Sequence, residues 1–226
     1  MTYLTQVTLD FATAARLRLR DSYDWHQAAW KAFPGRNGER RDFLTRLDQQ
    51  REGFRLLLVS PIEPVRPEWC PPDCWKTKPI PEHYFARSHY RFQLCANPTK
   101  KVKAFRPNGS ERPNGRREPL RKREELVAWI KRKGEQGGFA VEEETLRASP
   151  RGRAYFEKDG QRGLHSAMEF QGVLRVIDPD QFRETFTRGI GSAKAFGFGL
   201  LAVIPLAAGK MERAMHETDS AGSHVR

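Results

Sequence analysis

Short runs of alternating apolar and polar side chains predict several strands and one helix in the first half of the chain. The helix is expected to begin at an N-cap, either Asp21 or Ser22, and to run to about Phe33, where a Pro-Gly pair follows. The stretch 61–81 is rich in proline, so we expect irregular chain there with at most one short helical turn. The predicted strands are 3–9, 43–47, 54–60 and 90–102.

The second half of the chain repeats this order of elements. A basic loop leads to a helix, and a KDGQRG hairpin turn precedes a long strand. The predicted helices are 121–133 and 179–188, and the predicted strands are 139–148, 164–177 and 198–205. Each half therefore suggests β-α-β-β-α-β, and we predict an α+β protein of two tandem ferredoxin-like domains. The predicted segments are 1–88, 89–206 and a tail at 207–226 that is expected to be disordered.

The net charge indicates what kind of partner the protein binds. The chain has 40 Lys and Arg against 28 Asp and Glu, a formal charge of +12, which favours a polyanionic partner. Nucleic acid is the first candidate and an anionic membrane surface the second. No apolar window of about 20 residues is present. The N-terminus also lacks a signal-peptide pattern, so we expect a cytoplasmic protein without a membrane span.

The positive charge is concentrated in the second half. Residues 100–133 hold thirteen Lys and Arg against four acids, a surplus of nine, whereas a solvated helix face usually interleaves both signs. A second basic group surrounds the predicted hairpin. We therefore expect these segments to follow the phosphates of a structured RNA. The candidate RNA-binding residues are Arg116, Arg117, Arg121 and Arg123 in the first group, and Arg151, Arg153, Lys158 and Arg162 in the second.

A glycine-rich segment, GIGSAKAFGFGLL, occupies 189–201. It lacks the Walker A spacing, and it follows a helix and enters a strand, the reverse of a dinucleotide fingerprint. Two interpretations stay open at this point. The glycines either form a helix cap and tight turn, or they let the backbone approach an RNA phosphate. The candidate residues are Gly189, Gly191, Lys194, Gly197 and Gly199.

The sequence does not predict a metal or cofactor site. The cysteine pair in WCPPDC, Cys70 and Cys74, lacks the second ligand pair of a typical zinc site. The acidic run 142–144 would alternate between strand faces, which favours a solvated edge. An odd total of three cysteines also argues against a disulfide framework.

Chemistry near neutral pH points first to His26, because histidine can give or take a proton there. Tyr23 lies three residues before it on the predicted helix, so the two side chains are neighbours. His26 falls at the edge of the apolar stripe that Trp25 and Phe33 share. From the residues alone, an isolated histidine in such a place is more often structural than catalytic.

Several motifs together resemble the CasE family, the repeat-processing endoribonucleases of type I-E CRISPR systems. They are Y-x-x-H-x-x-x-W followed by FP, ANP-x-K, REPL with AWIKRK, FQGVLRVID and the glycine-rich segment, and the resemblance covers roughly 1–206. It implies two ferredoxin-like domains that bind a CRISPR repeat stem-loop and cut it once at the base of the stem. The cut leaves a 2′,3′-cyclic phosphate and a 5′-hydroxyl, and the crRNA is retained in the multi-subunit surveillance complex.

The resemblance also assigns roles to residues. The catalytic histidine falls on His26 and the helper tyrosine, where the family has one, on Tyr23. The position that matches the family's basic hairpin residue is open between Lys158, Gln161 and Arg162. Pro34 stands about where some members carry a supporting hydroxyl, so that group has no clear counterpart here.

Two other functions compete with cleavage. A non-catalytic RNA-binding subunit of a ribonucleoprotein complex would explain the charge without using His26. A protein that binds double-stranded DNA would also be basic, but no helix-turn-helix or zinc-finger pattern is present.

Overall fold

Two antiparallel sheets take their strands from separate halves of the chain. The computed structural model describes residues 1–36, 39–107, 109–111, 113, 115–158 and 161–206, apart from the side chains at 153–158 and 161–165. The predicted tail at 207–226 lies outside the described residues. The first sheet has the order β2-β3-β1-β4, with the first and third strands of the β-α-β-β-α-β unit at its centre. Its strands are β1 Thr2–Asp10, β2 Leu44–Gln50, β3 Gly53–Ser60 and β4 Trp75–Ile80.

The second sheet repeats this arrangement, and the second half of the chain has three additional strands. Strands β5 His89–Ala96, β8 Phe139–Val141, β10 Gln161–Val176 and β11 Leu201–Pro205 form it in the order β11-β5-β10-β8. The additional strands are β6 Thr99–Val102, β7 Arg116–Pro119 and β9 Arg147–Lys158. Strand β9 joins the second sheet by pairing with β10 as a long hairpin, and β6 and β7 form a small sheet of their own. The predicted fold, tandem ferredoxin-like units, is confirmed.

In the described part of the chain, four α-helices accompany the sheets: α1 Phe11–Arg16, α2 Ser22–Trp30, α3 Arg123–Glu135 and α4 Pro179–Arg188. The predicted N-cap of α2 is confirmed, because the Asp21 carboxylate accepts hydrogen bonds from the backbone N–H groups of Tyr23 and Asp24. The helix ends at Trp30, before the predicted Phe33. Hydrogen bonds of the shorter i to i−3 type continue the turn.

Three predicted elements were wrong. The stretch 61–81 is not wholly irregular, since β4 forms the edge of the first sheet, where Pro79 is tolerated. The predicted strand 90–102 breaks at Asn97 and Pro98 into β5 and β6. The predicted strand 139–148 is interrupted by a one-turn 3-10 helix, Glu143–Thr145, and the next strand, β9, was missed.

Apolar packing joins the two halves. A first core surrounds α2 and contains Trp25, Phe33 and Phe43. The larger core lies under the second sheet, but it also includes Leu44 and Val59 from the first half. Strands of the first sheet therefore pack against the second unit, and α2 is held next to elements from the end of the chain.

Candidate functional site

His26 lies on the inner face of α2 with its imidazole buried. Its residue exposure is only 9%. The indole Nε1 of Trp30 donates a hydrogen bond to its Nε2 at 3.1 Å, and the ring of Phe43 lies 6.0 Å away between centroids. Nδ1 is buried, and no described group bonds to it. A buried donor without a hydrogen-bond acceptor costs about 1–3 kcal/mol of folding free energy.

The protonation state of His26 follows from these contacts. Because Nε2 accepts from Trp30, the neutral ring carries its proton on Nδ1. Burial, the larger cause, and the nearby charge of Arg41 together lower the pKa of His26 to about 4. The imidazole is therefore neutral near pH 7 in this structure.

One cation, Arg41, acts on the imidazole, and a second, Lys194, lies next to Arg41. The Arg41 guanidinium lies 5.9 Å from the centroid of Phe43 and donates a hydrogen bond to the backbone carbonyl of Lys194. The ammonium of Lys194 donates to the Arg188 carbonyl at 2.7 Å, at the end of α4. Burial lowers the pKa of both Arg41 and Lys194, and the charge of Arg41 also lowers that of Lys194. Such a positive field favours an anion near Arg41.

Tyr23, the predicted helper, is half-buried on α2 one turn before His26. The three-residue spacing brings the two side chains to one side of the helix, as the sequence predicted. Strand β9 also lies against α2. The basic hairpin thus approaches the helix that carries both residues.

The glycine-rich segment packs between the two halves of the protein. It contains a one-turn 3-10 helix, Lys194–Phe196, which contacts α2 and β2. Gly189 ends α4 with a φ of +73°, and a Cβ at Gly199 would lie 2.6 Å from the Ile190 carbonyl oxygen. The backbone alone therefore requires glycine at 189 and 199. Gly197 also has a positive φ, +80°, but a Cβ there would meet only ordinary contacts.

Gly191 has a different environment, because it borders a polar pocket of about 320 Å³. The pocket joins Asn97 after β5, Arg117 on β7 and Gly191 with Ser192 of the glycine-rich segment. The last turns of α3 add two more cations, Arg132 and Lys133. Neither Arg117 nor Arg132 forms an ion pair with a carboxylate in the described part of the chain. The pocket can accept an anionic group such as a phosphate.

The other predicted RNA-binding residues fall into three situations. Arg121 and Arg123 are exposed and line a cleft of about 460 Å³ between the start of α3 and the β9–β10 hairpin. Arg116 pairs with Glu118, and Arg151 is held by Asp48 and Glu169. Both thus have carboxylate partners in the protein, although the Arg116 side chain is 70% exposed. The side chains of the last group lie outside the described residues: Arg153, Lys158 and Arg162.

The described residues contain no group of three or more His, Cys, Asp or Glu side chains that is arranged to hold a metal ion. Within the same ranges, no helix is both long and apolar enough to cross a membrane.

Comparison with known proteins decides the family. The sequence model of the family described as "CRISPR associated protein" matches residues 2–205. The "CRISPR system Cascade subunit CasE" of Escherichia coli is 34% identical over 208 residues, which cover 90% of this chain and 100% of that protein. The chain belongs to the CasE family. The "CRISPR-associated endoribonuclease Cse3" of Thermus thermophilus is 31% identical, with 90% and 100% of the two chains covered.

Solved structures of CasE-family proteins have the same fold. The crystal structure of Cas6e from Escherichia coli gives a TM-score of 0.70 at 29% identity, covering 91% of this chain and 100% of that one. A structure of Thermus thermophilus Cse3, described as bound to an RNA representing a pre-cleavage complex, gives 0.68 at 28% identity and covers 90% and 99%.

Several residues near the site of this CasE-family chain were missed by the sequence predictions. Arg41 was missed, although its place two residues before the buried Phe43 was an available signal. Trp30 lies four residues after His26, a spacing that brings side chains together on a helix. Arg132 and Lys133 were visible only as part of the basic run, since their convergence with Gly191 depends on the tertiary fold.

Proposed function

We propose that this chain is a metal-independent endoribonuclease that processes precursor crRNA. It binds the stem-loop of the CRISPR repeat and cuts once, leaving a 2′,3′-cyclic phosphate and a 5′-hydroxyl. The observation that carries this proposal is the buried His26 beside Arg41, on a fold shared with a relative described as an endoribonuclease. The cut crRNA then stays bound, and the protein serves as a subunit of the surveillance complex in the cytoplasm.

Cleavage uses a nucleophile that the RNA supplies. The 2′-hydroxyl must lose a proton, attack phosphorus in line and expel the 5′-oxygen, which must gain a proton. His26 serves one of these two transfers, as general base or as general acid. Tyr23 orients the phosphate or shares the proton transfer. If one histidine acts alone, alignment by the bound stem supplies much of the rate.

Arg41 and Lys194 would stabilise the negative charge that develops on the phosphate. A cation that is already in place when charge develops lowers the barrier without reorganisation. The Arg41 guanidinium is fixed by the Lys194 carbonyl, so its position is set before RNA arrives. The phosphate would in turn offset the cations and raise the pKa of His26 from about 4 toward the working pH.

The RNA stem would continue from this site along α3. The polar pocket lined by Arg117, Arg132 and Lys133 suits a backbone phosphate, and the cleft beside Arg121 and Arg123 extends the basic surface toward the hairpin. We further propose that Arg153, Lys158 and Arg162 on the hairpin contact RNA, and that 1–88 and 89–206 are the two domains. Gly191 and Lys194 connect the pocket with the His26 site.

One observation favours a second function, a non-catalytic RNA-binding subunit. Both nitrogens of His26 have structural surroundings, since Nε2 is bonded to Trp30 and Nδ1 is buried. A structural histidine would have such surroundings.

A repeat RNA with a single 2′-deoxy nucleotide at the cut site separates the two functions. Incubated in EDTA, the unmodified RNA should be cut once and the modified RNA should bind with equal affinity but stay intact. Binding of both RNAs without cutting would favour the non-catalytic subunit. Cutting of the modified RNA would contradict attack by the 2′-hydroxyl.

A further inference from the structure

Trp30 forms a hydrogen bond with the Nε2 nitrogen of His26. It is the last residue of α2, four positions after His26, so its indole lies over the imidazole. The Nε1–H of Trp30 points at Nε2 of His26, with 3.1 Å between the nitrogens. Among the described hydrogen bonds, this is the one that the imidazole makes.

This hydrogen bond is compatible with only one form of the ring. A nitrogen that accepts from an indole must keep its lone pair, so the ring is neutral and its proton is on Nδ1. An imidazolium carries protons on both nitrogens and cannot accept from Trp30. The bond and the protonated state of His26 therefore exclude each other.

Both catalytic roles of His26 need the bond to open. A general base must receive a proton on a free lone pair, and the one lone pair of this ring is bonded to Trp30. A general acid must first become an imidazolium, because the Nδ1–H of a neutral ring is far too weak an acid. The arrangement seen in this structure is thus a resting one.

We propose that Trp30 is a positioning residue that keeps His26 in this closed resting form, and that the Trp30–His26 hydrogen bond opens when repeat RNA enters the site. The inference rests on the proposed function, since it concerns the same histidine. It adds a step that precedes proton transfer and a residue that controls it.

The surroundings explain why RNA would open the bond. Burial and the charge of Arg41 disfavour a positive charge on His26 while no anion is present. A phosphate seated between Arg41 and His26 offsets that charge and favours the imidazolium, which releases the indole. The Trp30 ring also packs edge-on against Phe43 at 4.9 Å, so it keeps a place in the core after the bond opens.

The test uses the full chain without RNA and nitrogen-15 NMR of the imidazole rings. The native protein should show His26 as a neutral ring with its proton on Nδ1. Trp30→Phe keeps the aromatic contact but removes the donor, so the single tautomer should become a mixture. An imidazolium near pH 7, a proton on Nε2, or an unchanged tautomer in Trp30→Phe would overturn the proposal.

Trp69→Phe is a matched control, because Trp69 lies outside α2 but its indole also bonds to that helix. The Trp69 indole donates to the backbone carbonyl of Ala28 at 3.2 Å, so its loss removes a similar bond from α2 without touching the imidazole. The His26 tautomer should be unchanged in this variant. If both variants shift it equally, the effect is general loosening of α2 and the proposal fails.

A second arm adds the uncleavable 2′-deoxy repeat RNA to the native protein. The Nε2 signal of His26 should lose its hydrogen-bonded form, and the Trp30 indole N–H signal, identified by its absence in Trp30→Phe, should move. If RNA binds and both signals stay in place, Trp30 has only a structural role. None of these readouts depends on cutting, so a failure of the proposed cleavage is detected separately.

Discussion

Arg46 on β2 and Glu169 on β10 form a 2.9 Å ion pair that joins the two sheets. Asp48 binds the same guanidinium and also accepts from Arg55 and Arg151. The Arg46 side chain is only 5% exposed. Its charge is therefore stabilised by the neighbouring carboxylates and not by water. This network holds β2, and with it the glycine-rich segment and α2, against the second half of the chain.

Removing the carboxylate at the centre of this network should destabilise the protein. Asp48→Asn leaves the arginines with an uncompensated buried charge, and we expect a loss of about 3–5 kcal/mol in the free energy of unfolding. Urea denaturation measures the loss. The control is Asp42→Asn, because the Asp42–Arg36 pair lies on the surface and should contribute no more than about 1 kcal/mol. Equal losses in both variants would contradict a structural network.

The contribution of Asp48 should disappear in acid. Burial raises the pKa of its carboxyl, but Arg46, Arg55 and Arg151 together outweigh burial and the net pKa is lowered. A carboxyl whose pKa is lower in the folded state stabilises the protein above its unfolded pKa of about 3.9. That stability is lost as the pH falls further. The difference between the native protein and Asp48→Asn should therefore shrink below about pH 4, and a constant difference down to pH 3 would contradict the pairing.

The charge of Arg41 should affect the pKa of His26. Because Arg41 lowers the pKa of His26, Arg41→Gln should raise that pKa above about 4, while burial, the larger cause, keeps it below 6.5. An NMR titration of the imidazole measures the change. The same variant should slow single-turnover cleavage by roughly 100-fold. Arg40→Gln, at the exposed neighbouring position, is the control. If it changes the His26 pKa and the cleavage rate as much as Arg41→Gln does, Arg41 has no specific role at the site.

The polar pocket should contribute one phosphate contact. Arg132→Gln removes a pocket cation, so repeat RNA should bind more weakly and the slope of log affinity against log salt should fall by about one. The adjacent Lys131→Gln is a matched control, since Lys131 pairs with Glu143 and does not line the pocket. Equal salt slopes for native protein and Arg132→Gln would exclude the pocket from the RNA footprint.

The sequence predicted regular elements better than the contacts between them. The α2 cap at Asp21 and the whole of α4 were readable because capping and periodicity are local signals. Strand β9 was missed because RASPRGR has no alternation, and its order comes from pairing with β10. The polar pocket could not be predicted, since Asn97, Arg117 and Gly191 are brought together only by the tertiary fold.

Likewise, the sequence pointed to His26 but not to the protonation state of its imidazole. The motif with Tyr23 and Trp30 identified the helix, whereas the low pKa depends on burial by Phe43 and on a cation from another segment. The sequence also left two roles open for the glycines. The structure assigns Gly189 and Gly199 to backbone geometry and leaves Gly191 beside the pocket.

The central claim is that His26 carries out the cut, and one measurement tests it most directly. Repeat RNA is incubated in EDTA with the native protein and with His26→Gln, and both the affinity and the cleaved ends are measured. The native protein should make a single cut with a 2′,3′-cyclic phosphate, and His26→Gln should bind with nearly the same affinity and leave the RNA intact. Normal cutting by His26→Gln would contradict the account.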